Sequence, residues 1–502
     1  MKRHLTLLCA VAVTGVAHTA GAQSSAAMRQ LAQRYYDWRD SSYPVASSDQ
    51  GKHRWDDRLT DYRMPSVRQR RRHVDSLLAA VRAMRIRSWS KDDRVDKVLL
   101  EAQLERDAFF SRVMRPEESD PQVYVGEVGN SIFSLLKKEY APRRNRALAA
   151  AARLEQVPAL LRTARGNLTT PVKLYAQLAS EAAKYGDDLY TTSLMTLSDS
   201  LSGGDRERLV RARDAAVKAL HDFAAWLDAR SGSMPDWKPM GVANYNYLLH
   251  RVLLLPYDAT QIAMLGDVEL GRYRGLEAML KDPSYASPDP ARAARIPTDQ
   301  ADFLRAYESR LVEVTDFLRA NRLITIPEYI GRFEIRQLPE AFKPTSPGGF
   351  MNPPGIYDSD ASGFYFIPTY NPKSGNFYIR AAIEDPRPLI GHEGIPGHFL
   401  QLSIANHLTD EIRRQHGDNT FTEGWALYGE EMLMREGLYP DQSPSQGQVL
   451  RLSRYRAARV GVDVNLQTGR WTFERAVRHF MEGGGLDREA GTGEAAGAAS
   501  SP

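Results

Sequence analysis

The stretch RERLVRARDAAVKALHDFAAWL, residues 206–227, has the apolar periodicity of an amphipathic helix. Its apolar side chains recur at spacings of three and four residues, which place them on one face of a helix. A stripe of this kind is typical of a helix that packs on its neighbours in a protein core. The stripe consists of Leu209, Val210, Ala216, Val217, Leu220 and Phe223.

The same periodicity recurs over most of the chain, so the sequence predicts a mainly α fold. The chain has 502 residues, enough for one large helical domain or for two lobes around a cleft. Besides the stretch above, within 204–230, helices are predicted at 27–40, 65–86, 93–115, 144–164, 170–200, 259–281 and 298–321.

Two regions break the helical pattern. The segment Leu323 to Leu338 contains alternating and β-branched residues and predicts a short strand. The segment Gly363 to Arg380 predicts a hairpin, in which FYFIP and NFYIR flank a turn rich in Asn, Pro, Ser and Gly. This hairpin either packs in the core or offers an edge strand to an extended peptide.

The two ends of the chain differ from the rest. Residues 1–22 have a positive start, a short apolar run and the small residues Ala20-Gly21-Ala22, as in a cleaved secretory signal. We therefore expect a periplasmic or secreted protein with no membrane anchor after cleavage. The only cysteine, Cys9, lies in this signal, which excludes cysteine chemistry from the mature chain. Residues 485–502 have almost no apolar bulk and predict a disordered tail.

The charge balance of the chain does not favour nucleic acid as a partner. The chain has 66 basic and 62 acidic residues, a formal net charge of +4. A balance this close to neutral gives no indication of nucleic-acid binding.

The stretch GHEGIPGHFLQ, residues 391–401, combines two histidines and a carboxylate within seven residues. Neutral imidazole and carboxylate suit zinc, and Glu393 beside His392 is placed to act as a base. The spacing is unusual, because two residues six apart lie about 240° around a regular helix. His392 and His398 therefore converge only if the backbone unwinds or bulges around Pro396. Otherwise they are a loop histidine and a helix-start histidine that never meet.

A second stretch, FTEGWALYGEE at residues 421–431, begins a strong helical run. Glu423 lies 25 residues after His398. It is either a third metal ligand from a downstream helix or an acid that suits the positive end of the helix dipole.

Together the two stretches resemble the DUF885 family, bacterial proteins similar to the glutamate zincins. The patterns H-E-x-x-P-G-H-x-x-Q and T-E-G-W-A-x-Y-x-E carry the resemblance. It implies a helical zincin-like peptidase fold with a central cleft and a small β element near the site, over residues 23–484. It also implies a zinc cofactor held by His392, His398 and Glu423, with Glu393 as catalytic base and a peptide as substrate. Carboxypeptidase or dipeptidyl-carboxypeptidase activity is described for such proteins.

Hydrolysis of an amide also needs a donor for the oxyanion, and the candidates are Tyr428 and Arg459. Tyr428 is alternatively a core aromatic, and Arg459 is alternatively the partner of Asp463, four residues on. The chain departs from its relatives at Gln467, where they carry histidine. Relatives also continue beyond the helix predicted at 472–482, so we expect the domain to be incomplete at its C-terminal end.

Three functions are compatible with these residues. The first is an exported zinc peptidase. The second is a catalytically silent helical peptide-binding protein that keeps the metal site. The third is a zinc hydrolase of non-peptide amides. Zinc content and peptide hydrolysis separate the three.

Overall fold

A computed structural model describes residues 24–281, 295–338, 348–439 and 444–500. The predicted signal at residues 1–22 lies outside the described residues. The described chain is mainly α-helical, with one small sheet, which confirms the predicted fold class. In the described part of the chain, no helix combines the length and the apolar character needed to cross a membrane.

The first twelve helices precede the sheet and cover seven of the eight predicted helical segments. In the eighth, 170–200, only Lys173–Tyr185 is α-helical, and Leu189–Ser193 and Leu194–Ser200 form a π-helical and a 3-10 turn. Three of the twelve helices, α2, α3 and α5, have proline in their first turn, where the missing N–H is not needed. The twelve are α1 (Ser25–Ser42), α2 (Pro44–Asp49), α3 (Met64–Arg82), α4 (Lys91–Val113), α5 (Pro116–Ser119), α6 (Gln122–Leu136), α7 (Arg143–Asn167), α8 (Lys173–Tyr185), α9 (Gly203–Arg230), α10 (Val242–Tyr247), α11 (Ala259–Lys281) and α12 (Gln300–Ala320).

The sheet and eight further helices complete the fold. The strands are β1 (Phe333–Gln337), β2 (Phe350–Asn352) and β3 (Gly363–Ile367). The helices are α13 (Phe377–Glu384), α14 (Arg387–Glu393), α15 (His398–Asn406), α16 (Glu411–Gln415), α17 (Asn419–Arg435), α18 (Pro444–Gln467), α19 (Phe473–His479) and α20 (Arg488–Ser500).

The predicted stripe of α9 forms part of the largest core cluster. Leu209, Ala216, Leu220 and Phe223 are buried there, where α9 packs on α7 and α8, and Val217 packs at the edge of the cluster. A separate cluster lies around the sheet and the C-terminal helices, where Phe399 and Leu433 are buried. The second cluster supports the candidate site described below.

The sheet has the strand order β1-β3-β2, with β1 parallel and β2 antiparallel to β3. The strand predicted between Leu323 and Leu338 is therefore confirmed as β1. All five residues of β3 are buried, and both of its edges are paired. The central strand consequently has no free edge for a peptide, and the proposed edge-strand role of this segment is wrong.

The prediction of a hairpin over 363–380 is also wrong in its second half. NFYIR does not form a strand, because Asn376 caps the helix α13. Its side-chain oxygen accepts hydrogen bonds from the backbone N–H groups of Tyr378 and Ile379 at 2.9 and 3.1 Å. The apolar positions that suggested a strand instead bury Ile379 and Ile383 on one face of a helix.

The C-terminal segment differs from the disorder that its composition predicts. The structure places Arg488–Ser500 in helix α20, which packs on α18 and α19. Gly491, Ala495 and Ala499 are buried in the contact. Small side chains let two helix backbones approach closely. Close van der Waals contact between the helices therefore stabilises α20, although the segment has few large apolar side chains.

Candidate metal centre

The histidines of the GHEGIPGH stretch lie on two helices that are separated by a sharp break. Helix α14 ends at Glu393, and α15 begins at His398. Between them Gly394 and Gly397 have non-helical backbone angles, and the Ile395–Pro396 peptide bond is cis. The expected unwinding around Pro396 is therefore a complete helix break rather than a bulge within one helix.

The break folds α15 back tightly against α14. A Cβ atom added to Gly397 would lie 1.8 Å from the carbonyl oxygen of His392, so only glycine fits at this position. The two imidazole rings meet with their centroids 4.5 Å apart and their planes at 78°. Both histidines are buried.

Helix α17 supplies the third side chain, and a tryptophan fixes its approach. The indole Nε1 of Trp425 donates a hydrogen bond of 2.8 Å to the carbonyl oxygen of Pro396. The Glu423 carboxylate then lies 3.6 Å from His392 Nε2 and 3.7 Å from His398 Nε2. The three predicted ligands thus converge, and their ligand atoms all lie within 4.8 Å of one another.

This donor set fits a zinc ion. Ligand atoms at roughly 2.0–2.1 Å from a tetrahedral zinc are about 3.3 Å apart, close to the 3.6 and 3.7 Å between Glu423 and the two imidazoles. Two imidazoles and one carboxylate leave a fourth position open, as in catalytic rather than structural zinc sites. The residues that would hold the ion are therefore His392, His398 and Glu423.

A buried carboxylate that was not singled out from the sequence orients the first histidine. Glu430 accepts a hydrogen bond of 2.8 Å from His392 Nδ1, which leaves Nε2 directed at Glu423. Glu430 is fully buried, and Arg456 of α18 neutralises it at 3.1 Å. Such a partner fixes the tautomer and the orientation of a metal-binding imidazole. The available signal was spacing: Glu430 follows Glu423 by seven residues and so lies on the same helix face.

Charges at the centre favour a cation. Burial and the charge of Arg456 oppose protonation of His392, but the carboxylates of Glu423 and Glu430 raise its pKa to about 9. Burial, together with the positive charge of His392, lowers the pKa of His398 to about 4. The hydrogen bond with His392 lowers the pKa of Glu423 to about 2, although burial opposes this shift. A carboxylate and a neutral imidazole are therefore available as ligands at neutral pH.

Glu393, the predicted base, ends α14 directly after the ligand His392. Burial raises the pKa of its carboxyl group, and the nearby carboxylate of Glu423 adds to the shift. The negative charge of Glu393 also contributes to the raised pKa of Tyr365, in the central strand β3. The small sheet thus lies against the site, as expected.

The two predicted oxyanion donors lie on helices that also carry groups of the centre. Tyr428 of α17 is 58% exposed, so it is not the core aromatic that was the alternative. Arg459 of α18 is near enough to Glu423 to contribute to the lowered pKa of that carboxyl group. It makes no ion pair with Asp463, whose carboxylate accepts a hydrogen bond from Tyr245.

A cavity of about 1160 Å³ reaches helices α15 and α17, although neither the three predicted ligands nor Glu393 line it. Its wall includes Gln401, one helical turn after His398, and Phe421 and Thr422, directly before Glu423. The opposite wall comes from α1–α4 of the N-terminal half. The cavity has the volume of a ligand site and reaches the helices that carry the predicted ligands.

Residues 44–502 match the model of a family described as "Bacterial protein of unknown function (DUF885)". The chain belongs to the DUF885 family. No curated protein matches the chain. Two solved structures have the same fold, each described as a "putative lipoprotein", one from Shewanella oneidensis and one from Colwellia psychrerythraea. The first is 21% identical, with a TM-score of 0.73 over 95% of this chain and 90% of that one. The second is 17% identical, with a TM-score of 0.73 over 95% and 89%.

Proposed function

We propose that this DUF885 protein is an exported zinc-dependent peptidase. The observation that carries the proposal is the convergence of His392, His398 and Glu423, with Glu393 directly after His392 in the chain. A zinc ion held by His392, His398 and Glu423 would supply Lewis-acid chemistry to a substrate carbonyl and a water. The apolar N-terminal run and the "putative lipoprotein" description of the structural neighbours support a location in the cell envelope or outside it.

In this proposal Glu393 moves the proton. Its carboxylate accepts a proton from the attacking water and passes that proton to the leaving amine. Because burial raises the pKa of Glu393, its conjugate acid holds the proton long enough to deliver it. Exposed Tyr428 and Arg459 are the candidates that stabilise charge on the substrate.

The cavity that reaches α15 and α17 is large enough to hold a short peptide. About 1160 Å³ is more than a single amino acid needs, and both walls carry hydrogen-bonding side chains. A short peptide seated there extends from the helices of the centre toward the N-terminal helices. The proposed activity is that of a carboxypeptidase or dipeptidyl-carboxypeptidase, which releases residues from the C-terminal end of the peptide.

The test uses the full-length chain loaded with zinc and a mixed library of short peptides, with products identified by mass spectrometry. We expect cleavage, and we expect Glu393→Gln to slow it by roughly 10²–10⁴-fold while zinc stays bound. The matched control is Glu384→Gln, at an exposed acid on α13, which should cleave at the wild-type rate. Cleavage that survives Glu393→Gln contradicts the mechanism. Bound zinc with no cleavage favours the silent peptide-binding protein.

A further inference from the structure

Helix α18 carries two arginines near the centre whose surroundings differ sharply. Arg456 is largely buried and bonded on two nitrogens to the carboxylate of Glu430 at 3.1 and 3.2 Å. Arg459, one turn later, has a side chain that is 55% exposed. Among the residues that the structure describes, its only carboxylate within 4.0 Å is Glu494, at 3.8 Å. The guanidinium of Arg456 is therefore neutralised by a close carboxylate within the fold, whereas that of Arg459 has no close carboxylate partner among the described residues.

The Arg459 guanidinium lies near two tyrosine side chains. Its carbon is 5.9 Å from the centre of the Tyr455 ring. The Tyr455 hydroxyl in turn lies 3.0 Å from that of Tyr378. The two hydroxyls are bonded to each other, and Tyr455 is fully buried, so the exposed Arg459 guanidinium is the group that can meet a ligand. A guanidinium can bind both oxygens of a carboxylate at once.

Glu494 reaches Arg459 from helix α20, whose end is held by hydrogen bonds to its backbone. The hydroxyl of Tyr175 and the indole of Trp237 donate to the carbonyl oxygen of Ala499 at 3.0 and 2.9 Å. These contacts place a carboxylate of the chain itself in the neighbourhood of the centre. The contact at 3.8 Å is nevertheless long compared with the roughly 2.7–2.9 Å of a strong charge-assisted hydrogen bond.

We propose that Arg459 binds a carboxylate of the substrate, and that Glu494 of helix α20 competes with the substrate for that position. The proposal rests on the peptidase function above and defines its substrate class as peptides with a carboxylate close to the scissile bond. It assigns Arg459 to substrate binding and leaves Tyr428 as the donor to the oxyanion. The carboxylate is either the C-terminus of the peptide or an acidic side chain.

Binding can be measured without hydrolysis, which keeps this proposal separate from the proposed function. The probe is N-acetyl-alanyl-phenylalanyl-alanine as the free acid, and it is compared with its C-terminal amide by calorimetry. A third peptide, an amide that ends in aspartate, presents the carboxylate on a side chain. All three are titrated into the full-length chain that carries Glu393→Gln, so that turnover does not interfere.

We expect the free acid to bind at least about tenfold more tightly than the amide. Arg459→Gln should abolish this preference by weakening the binding of the free-acid peptide and not that of the amide. Arg459→Lys should keep part of the preference. Glu494→Gln should tighten binding of the acid by about fivefold and leave the amide unchanged, because the internal competitor loses its charge. Glu489→Gln, at an exposed acid on the same helix, is the matched control and should change nothing.

Equal binding of acid and amide overturns the carboxylate site. A preference for the acid that Glu494→Gln leaves unaltered overturns the competition. If the aspartate amide binds like the acid, an acidic side chain is accepted; if it binds like the plain amide, only a free C-terminus is. A preference for the acid in a protein that cleaves no peptide refutes the proposed function and retains the binding site. Peptide cleavage that does not depend on Arg459 refutes the carboxylate site and retains the proposed peptidase function.

Discussion

Replacing Glu430 with glutamine should weaken zinc binding without any change to a predicted ligand. Glu430 accepts the 2.8 Å hydrogen bond from His392 Nδ1 and carries the charge that Arg456 neutralises. Glutamine keeps the shape but removes the charge, and its amide presents either oxygen or nitrogen to the imidazole. His392 then loses the partner that fixes its tautomer and orientation.

The expected loss of zinc affinity is roughly 10–100-fold, the usual effect of removing such a partner. The apo-protein should also lose about 3–5 kcal/mol of stability, because Arg456 becomes a largely buried charge with no counterion. Removing both members of the pair, in Glu430→Gln with Arg456→Gln, should restore much of this stability. Zinc affinity should remain low in the double variant, since His392 still lacks its carboxylate.

The assay is competition for zinc against a chelator of known affinity, combined with urea unfolding of the metal-free protein. Glu431→Gln is the matched control, because Glu431 is next in sequence but pairs with Arg272 rather than with His392. Its zinc affinity should equal that of the wild type. A zinc affinity for Glu430→Gln within twofold of the wild type would refute the reasoning.

Two further predictions concern the break between α14 and α15 and the packing of α17. Gly397→Ala should cost about 3 kcal/mol and abolish zinc binding, since its Cβ would overlap the His392 carbonyl oxygen; urea unfolding and zinc content check this. Burial opposes ionisation of Glu431, but hydrogen bonds from Arg272 and Tyr273 lower its pKa to about 2. Because the pKa of Glu431 is lower in the folded state, its ionised carboxylate stabilises the fold at pH values above the ordinary carboxyl pKa. This stabilisation is lost as the pH falls toward 2. Glu431→Gln should therefore cost roughly 1–2 kcal/mol at pH 6.5 and about half as much at pH 3.5, and equal losses at both pH values would contradict this.

The long N-terminal helices could be predicted from sequence because they bury apolar residues at helical spacing, as α9 does. Segment 363–380 shows where that approach fails. FYFIP is a strand and NFYIR is a helix, although both are short apolar runs without a clear period. The capping side chain of Asn376 distinguishes them, and a turn-forming asparagine is equally common before a strand.

The tail shows a different limit. Its composition lacks the apolar bulk that normally indicates folding, yet Ala495 and Ala499 are buried in helix α20. What orders them is the surface of α18 and α19, together with the donors Tyr175 and Trp237 more than 260 residues away. Sequence composition contains no information on such distant partners.

The candidate site could be predicted only in part. The three predicted ligands, whose side chains converge, and the adjacent Glu393 came from the two motifs and the family resemblance. Glu430 is part of the second motif, but the sequence does not indicate that its partner is His392. That contact depends on how α17 packs on α14. Arg456 has no motif of its own, and its role follows from burial beside Glu430.

The most direct test of the metal centre is the zinc content of the purified full-length chain after zinc loading and desalting. The three converging side chains predict one zinc per chain in the wild type. They also predict less than about a tenth of that in His398→Gln, whose amide is a poor ligand for zinc. A wild-type chain without zinc, or a His398→Gln chain that retains it fully, would contradict the account.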